Sequence, residues 1–185
     1  MPRIFGRPIV TQDQMRTRIK ELGQQLSQDY QGRDLVLVGV LKGAYAFYAD
    51  LARAIRIPMR VDFMMVRSYE GGTKTTGKVK LVSDLSEDVA GKDVVLVEDI
   101  VDSGLTAAYL LKKVAAHKPK SLKLCALLSK PDRRQVHPQV DYVGFEIPDK
   151  FVVGYGLDYQ QQYRNLPYLV ALDTHESDDA DASQD

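Results

Sequence analysis

The sequence predicts an open, mostly parallel α/β sheet with helices on both faces, and three observations carry that expectation. The runs Leu35-Val36-Leu37-Val38-Gly39-Val40 and Val94-Val95-Leu96-Val97 are short, continuous and rich in β-branched residues. Strands buried on both faces have this character. Segments with apolar residues at helical spacing alternate with these runs, which is the pattern of strand–helix–strand units in a parallel sheet. The chain of 185 residues is 44% hydrophobic and 27% charged, enough to bury a core without disulfides or a structural metal.

The elements follow in order. Thr11 and Gln14 make the signature of a capping box, and Met15, Ile19, Leu22 and Leu26 recur at helical spacing, so a first helix is expected to about Asp29. Gly32 and Asp34 make a turn before the strand at 35–40. A helix over 44–55 follows, then a break at Pro58 and a strand over 60–66. Residues 67–78 are rich in Gly, Thr and Lys without apolar period and read as a mobile loop leading to a strand at 79–82. After the strand at 94–97 come a helix over 106–116, a strand over 122–128, and short strands near 142–143, 151–153 and 168–172. Residues 1–172 read as one domain, and the acidic, apolar-poor tail 173–185 as disordered.

Charge and cysteine content narrow the function. Lys and Arg number 25, as do Asp and Glu, so the formal net charge is zero. Such a chain exerts no long-range attraction on nucleic acid or an anionic membrane, and an anionic ligand must be held by local geometry. Cys125, the single cysteine, lies inside an apolar strand and reads as core, in keeping with a reducing compartment. No apolar run approaches the ~18 residues of a membrane span. No signal peptide opens the chain, and the cytoplasm is the expected location. His117, His137 and His175 have no metal-site spacing.

The chemistry concentrates in VVLVEDIVDSGLT, residues 94–106. A buried strand ends in the acid pair Glu98-Asp99, and Asp102-Ser103-Gly104-Leu105-Thr106 leads into a helix. A turn with glycine and two hydroxyl residues at a helix start suits phosphate, because free N–H groups and the positive end of the helix dipole converge there. No Gly-Lys-[Ser/Thr] follows at the spacing of a Walker A loop. Acids beside an anion site repel it unless a ribose diol or a divalent cation lies between. The pattern therefore points to a sugar phosphate.

This segment resembles the signature with which type I phosphoribosyltransferases bind phosphoribosyl pyrophosphate (PRPP). Together with DYVGFEIPDKFVVGYGLDYQQQYRNLPY at 141–168, it resembles the hypoxanthine-guanine phosphoribosyltransferases, particularly the bacterial form, over roughly residues 9–172. The resemblance implies the type I phosphoribosyltransferase fold, with a small hood and a lid over the active site. It implies transfer of the phosphoribosyl group of PRPP to hypoxanthine and guanine with Mg²⁺, in a homodimer or homotetramer. Two alternatives stay open: a sibling enzyme preferring xanthine or guanine, and a PRPP-binding regulator on the same fold.

Roles follow from the resemblance residue by residue. Asp102, Ser103, Gly104, Leu105 and Thr106 match the 5′-phosphate turn, with Asp102 also matching the catalytic acid near purine N7. Glu98 and Asp99 match the acids that meet the ribose hydroxyls directly or through magnesium. Leu41-Lys42-Gly43 matches the pyrophosphate loop, where members of the family can hold a cis peptide between the first two residues. Ser68 and Tyr69 match a pair placed over the pyrophosphate. Lys130 matches the lysine that reads the 6-oxo group, Phe151 the aromatic that stacks on the base, and Val152 a residue whose backbone faces the base edge. Asp158 matches an acid of the purine, magnesium and pyrophosphate region, and Arg164 an arginine near the pyrophosphate.

Overall fold

The computed structural model describes residues 7–71 and 74–172, with only the backbone of 68–71 and 74–78. The tail at 173–185 lies outside the described residues. The capping box is present: Gln14 N–H donates to Thr11 Oγ1 at 3.3 Å, and Thr11 N–H donates back to Gln14 Oε1 at 2.9 Å. It opens α1, Gln12–Asp29. Then come β1 (Leu35–Leu41), α2 (Tyr45–Ala54), β2 (Met59–Gly71), β3 (Lys74–Ser83), β4 (Asp93–Val101), α3 (Leu105–Ala115), β5 (Ser121–Ser129) and β6 (Tyr142–Glu146). A single 3₁₀ turn, Pro131–Arg133, lies between β5 and β6. The short strands β7 (Val152–Val153) and β8 (Val170–Ala171) pair with each other.

The main sheet has six strands in the order β3-β2-β1-β4-β5-β6. All neighbours are parallel except β2 and β3. Side-chain alternation along each strand divides the core into two layers. Leu35, Leu37, Val95, Val97, Cys125 and Leu127 face α1 and α2, packing with Met15, Leu22, Leu26, Phe47 and Leu51. Val36, Val38, Val94, Leu96, Leu124 and Ala126 face α3 and pack with Ala107, Leu110 and Val114. Burying each such Val or Leu contributes about 1.5–3 kcal/mol. The helices α1 and α2 touch closely at Gly23, where an added Cβ would come within 2.5 Å of Ala54 Cβ. Helices thus cover both faces, as the sequence predicts. Among the described residues no helix is long and apolar enough to cross a membrane.

One expectation needs correction. Residues 67–78 are not a loop between short strands: β2 continues to Gly71 and β3 begins at Lys74, so the two form a long antiparallel hairpin. Antiparallel pairing is satisfied by main-chain bonds, which require no apolar alternation. The predicted strands at 151–153 and 168–172 shrink to two residues each, forming the small hood.

Candidate active site

From β1 the chain passes outward to β2 and then returns across β1 to β4, so the strand order reverses between β1 and β4. Open α/β sheets form ligand crevices beyond the carboxyl ends of their strands at such a point. Leu41-Lys42-Gly43 leaves β1 there, residues 98–106 span the end of β4 and the start of α3, and Lys130 follows β5. The Leu41–Lys42 peptide is cis, and Tyr45 N–H donates to Lys42 O at 3.1 Å as the turn enters α2.

The acid pair sits at the end of β4, with Glu98 buried and Asp99 half-buried. Glu98 is 4% exposed, and burial together with the neighbouring Asp99 charge pushes its carboxyl well above the usual range. Burial pushes Asp99 up to about 6, against the hydrogen bond that its Oδ1 accepts from Ile100 N–H at 2.8 Å. Asp99 also feels the opposing charges of Arg164, which lowers its pKa, and Asp158, which raises it. Arg164 Nη2 stands 2.7 Å from Asp158 Oδ1, and Arg164 Nη1 donates to Gly156 O at 2.7 Å. Gly156 has φ +103°, and a Cβ there would come within 2.1 Å of Gly43 O. The loop that carries Asp158 and Arg164 therefore lies directly on the turn after β1. Its Tyr155 hydroxyl donates to Asp50 of α2. Gly43, Asp99, Asp158 and Arg164 form one cluster.

The turn between β4 and α3 depends on Gly104, which has φ +82°. A Cβ there would also meet Val136 O at 2.3 Å. Ser103 O accepts from the N–H groups of Gln135 (2.9 Å) and Val136 (3.2 Å), which fixes the turn against the segment after β5. The first N–H groups of α3 have no acceptor within the helix. With the helix dipole, they make the turn a cradle for a phosphate-sized anion.

Beside this cradle is a second group of charges. Lys130 is 5% exposed, and its Nζ lies 3.7 Å from Asp102 Oδ2 and 3.9 Å from Asp149 Oδ1. Arg133 completes the arrangement, with Nε 3.0 Å from Asp102 Oδ1 and Nη1 3.1 Å from Asp149 Oδ1. Phe151 is 47% exposed, so it is not a core aromatic, and it meets Tyr159 edge to face at 5.8 Å between ring centroids. Val152 buries its side chain in the α1/α2 layer and pairs with Ala171 of β8.

Ser68 and Tyr69 are farther out. Leu41 pairs with Met65, so Ser68 lies three residues beyond the end of β1 along the parallel β2. That offset is about 10 Å on the crevice side. The β2–β3 register shifts between Ser68 and Glu70, bracketing Tyr69. The sequence reading missed Arg133 and Asp149. A signal for Arg133 exists: Pro131 opens a 3₁₀ turn, in which residues three apart share a side, as Lys130 and Arg133 do.

Magnesium fits the acids only as a shared ion. Among the described residues no three His, Cys, Asp or Glu side chains are spaced to hold a metal, so Glu98, Asp99 and Asp158 are not a ready-made cage. Two adjacent carboxylates, one buried and one half-buried, are nonetheless a place for a hard divalent cation, which commonly takes its remaining ligands from water and substrate oxygens.

A switch-point crevice with paired acids and a glycine turn at a helix start places the protein among α/β folds suited to a phosphate-bearing ligand. Residues 9–160 match the model of the phosphoribosyl transferase domain, and the chain belongs to that family. It is 48% identical to the hypoxanthine-guanine phosphoribosyltransferase of Mycobacterium avium, over 89% of this chain and 84% of that protein. It is 49% identical to the hypoxanthine phosphoribosyltransferase of Salmonella typhimurium, over 87% of this chain and 92% of that one. The crystal structure of a hypoxanthine-guanine phosphoribosyltransferase from Bacillus anthracis superposes with a TM-score of 0.86 at 46% identity, covering 91% of this chain and 99% of that one.

Proposed function

We propose that this enzyme transfers the phosphoribosyl group of PRPP to hypoxanthine and guanine, giving the nucleoside monophosphate and pyrophosphate. The observation that carries the proposal is the meeting, at one switch point, of the phosphate cradle after β4 and the buried ammonium of Lys130 beside Asp102.

In this reading the residues at 102–106 hold the 5′-phosphate, while Glu98 and Asp99 accept hydrogen bonds from the ribose hydroxyls. The turn Leu41-Lys42-Gly43 and Arg164 receive the pyrophosphate, with Ser68 and Tyr69 closing over it from the hairpin. Magnesium held by Glu98, Asp99 and Asp158 together with substrate oxygens would neutralise charge on the leaving pyrophosphate. Phe151 stacks on the base, the Val152 backbone faces its edge, and Lys130 donates to the 6-oxo oxygen. The bond from C1′ to pyrophosphate breaks, N9 bonds to C1′, and Asp102 takes up the purine proton at N7. Alignment of base and sugar in a water-excluding crevice supports the oxocarbenium-like transition state.

The relatives above are named as enzymes, which favours catalysis over the regulatory alternative. The family resemblance supports a homodimer or homotetramer, to be measured by light scattering, and the composition supports a cytoplasmic location. Incubation with PRPP, Mg²⁺ and hypoxanthine is expected to release pyrophosphate and nucleoside monophosphate in equal amounts, with loss of turnover on chelation. PRPP binding without turnover of any purine base, accompanied by a gel shift with nucleic acid, would favour the regulator.

A further inference from the structure

The four charged groups around the proposed base pocket close into a ring of alternating sign: Asp102, Lys130, Asp149 and Arg133. Two sides of the ring are long. Lys130 Nζ is 3.7 Å from Asp102 and 3.9 Å from Asp149, whereas charge-assisted N–H···O contacts settle at about 2.7–2.9 Å. The other two sides are short, both made by Arg133, at 3.0 Å to Asp102 and 3.1 Å to Asp149. Arg133 Nη1 also donates to the second Asp149 oxygen at 3.3 Å. Its Nε approaches Asp102 Oδ1 without the alignment of a hydrogen bond, leaving that buried oxygen without a directed donor.

A buried ammonium and a carboxylate 3.7 Å apart attract strongly. What opposes their closure is that each has a second partner of opposite sign. Asp149 draws Lys130 away from Asp102, and Arg133 draws Asp102 away from Lys130. We propose that Asp149 and Arg133 are positioning residues that keep Lys130 and Asp102 from collapsing into a direct ion pair. The purine then finds a free donor for its 6-oxo oxygen and, beside it, a free acceptor for its N7 proton. This inference rests on the base-pocket reading above.

The two residues differ in expected effect. Without the Asp149 charge, Lys130 closes on Asp102 and its donor is withdrawn from the base. Asp149→Asn is expected to raise the KM for hypoxanthine and guanine about tenfold, the coupling usual within one salt-bridge network. It should also reduce their advantage over adenine, with the KM for PRPP little changed. Asp149→Glu, which restores the charge, should recover most of both. Arg133→Gln frees Asp102 to move toward Lys130 and should lower kcat more than it raises the base KM. Asp149 and Arg133 are about half exposed, so folded variants are expected, and thermal melts check this.

The experiment measures kcat and KM for hypoxanthine, guanine and adenine in wild type, Asp149→Asn, Asp149→Glu, Arg133→Gln and Lys130→Ala. Loss of base affinity and selectivity in Asp149→Asn, rescued in Asp149→Glu, supports the proposal. If Lys130→Ala loses selectivity while Asp149→Asn behaves as wild type, the positioning role is overturned and the base pocket stands. If Lys130→Ala keeps full selectivity, the base pocket itself falls and the positioning role with it. A large drop in melting temperature with all kinetic constants impaired alike would mark Asp149 as structural and also overturn the proposal.

Discussion

The carboxylate of Asp99 fills the space beside Gly43: a Cβ added to Gly43 would come within 1.6 Å of Asp99 Oδ2. The turn after β1 and the acid at the end of β4 thus fit together only because residue 43 has no side chain. Gly43→Ala is expected to push Asp99 out of place or distort the turn. Overpacking of this kind costs about 1–3 kcal/mol, and PRPP affinity should fall with stability. Calorimetric titration with PRPP and Mg²⁺, alongside thermal melts, checks both.

The raised pKa of Asp99 gives a pH dependence with a definite sign. Its value of about 6 in the folded protein lies above the ordinary carboxyl value of 3.8, so between these limits the folded state binds more protons than the unfolded. Stability of the ligand-free protein from this group is therefore fully present below about pH 4 and lost as pH rises through about 6. Each pKa unit is worth about 1.4 kcal/mol, which sets a ceiling of a few kcal/mol. Asp99→Asn should remove this decline, so its advantage in denaturant midpoint over wild type should widen from pH 4 to pH 7. An advantage that stays constant across that range would mean Asp99 does not titrate there.

Asp102→Asn tests the proton transfer. The substitution keeps the shape and removes the base, and a general acid–base step contributes typically about 10²- to 10⁴-fold. Steady-state kinetics should show kcat falling by that order with smaller changes in either KM. A variant retaining most of its kcat would assign the turnover to positioning and charge alone.

What the sequence disclosed, and what it hid, follow from where each signal resides. The first helix was legible to within a residue because Thr11 and Gln14 write its cap in side chains. Strands β1 and β4 were legible because burial on both faces demands unbroken apolar runs. The hairpin was not, since the Gly, Thr and Lys residues at 67–78 carry no alternation and the pairing lies in the backbone. Within the site, Glu98, Asp99 and the Gly104 turn are contiguous and could be read as a unit. The pairing of Arg133 with Asp149 could not, because it joins two loops 16 residues apart and no local spacing encodes it. Neutral overall charge also hides how charge is arranged: cations and acids meet in pairs at the crevice.

The central claim is that this enzyme uses 6-oxopurines and recognises them through Lys130. Hypoxanthine and guanine present an acceptor at position 6, whereas adenine presents an amino donor. The Lys130 ammonium carries three donors and no acceptor, and it is 5% exposed, so adenine sets its amino donor against a buried donor with no water between them. Sites built around one such hydrogen bond reject the wrong partner by about 10⁴-fold. The direct measurement is kcat/KM with PRPP and Mg²⁺ for hypoxanthine, guanine, xanthine, adenine and uracil, in wild type and Lys130→Ala. Hypoxanthine and guanine should be turned over by wild type with adenine negligible, and Lys130→Ala should weaken both while narrowing their lead over adenine. Wild-type use of adenine as efficient as that of guanine, or a lead over adenine untouched in Lys130→Ala, would contradict the claim.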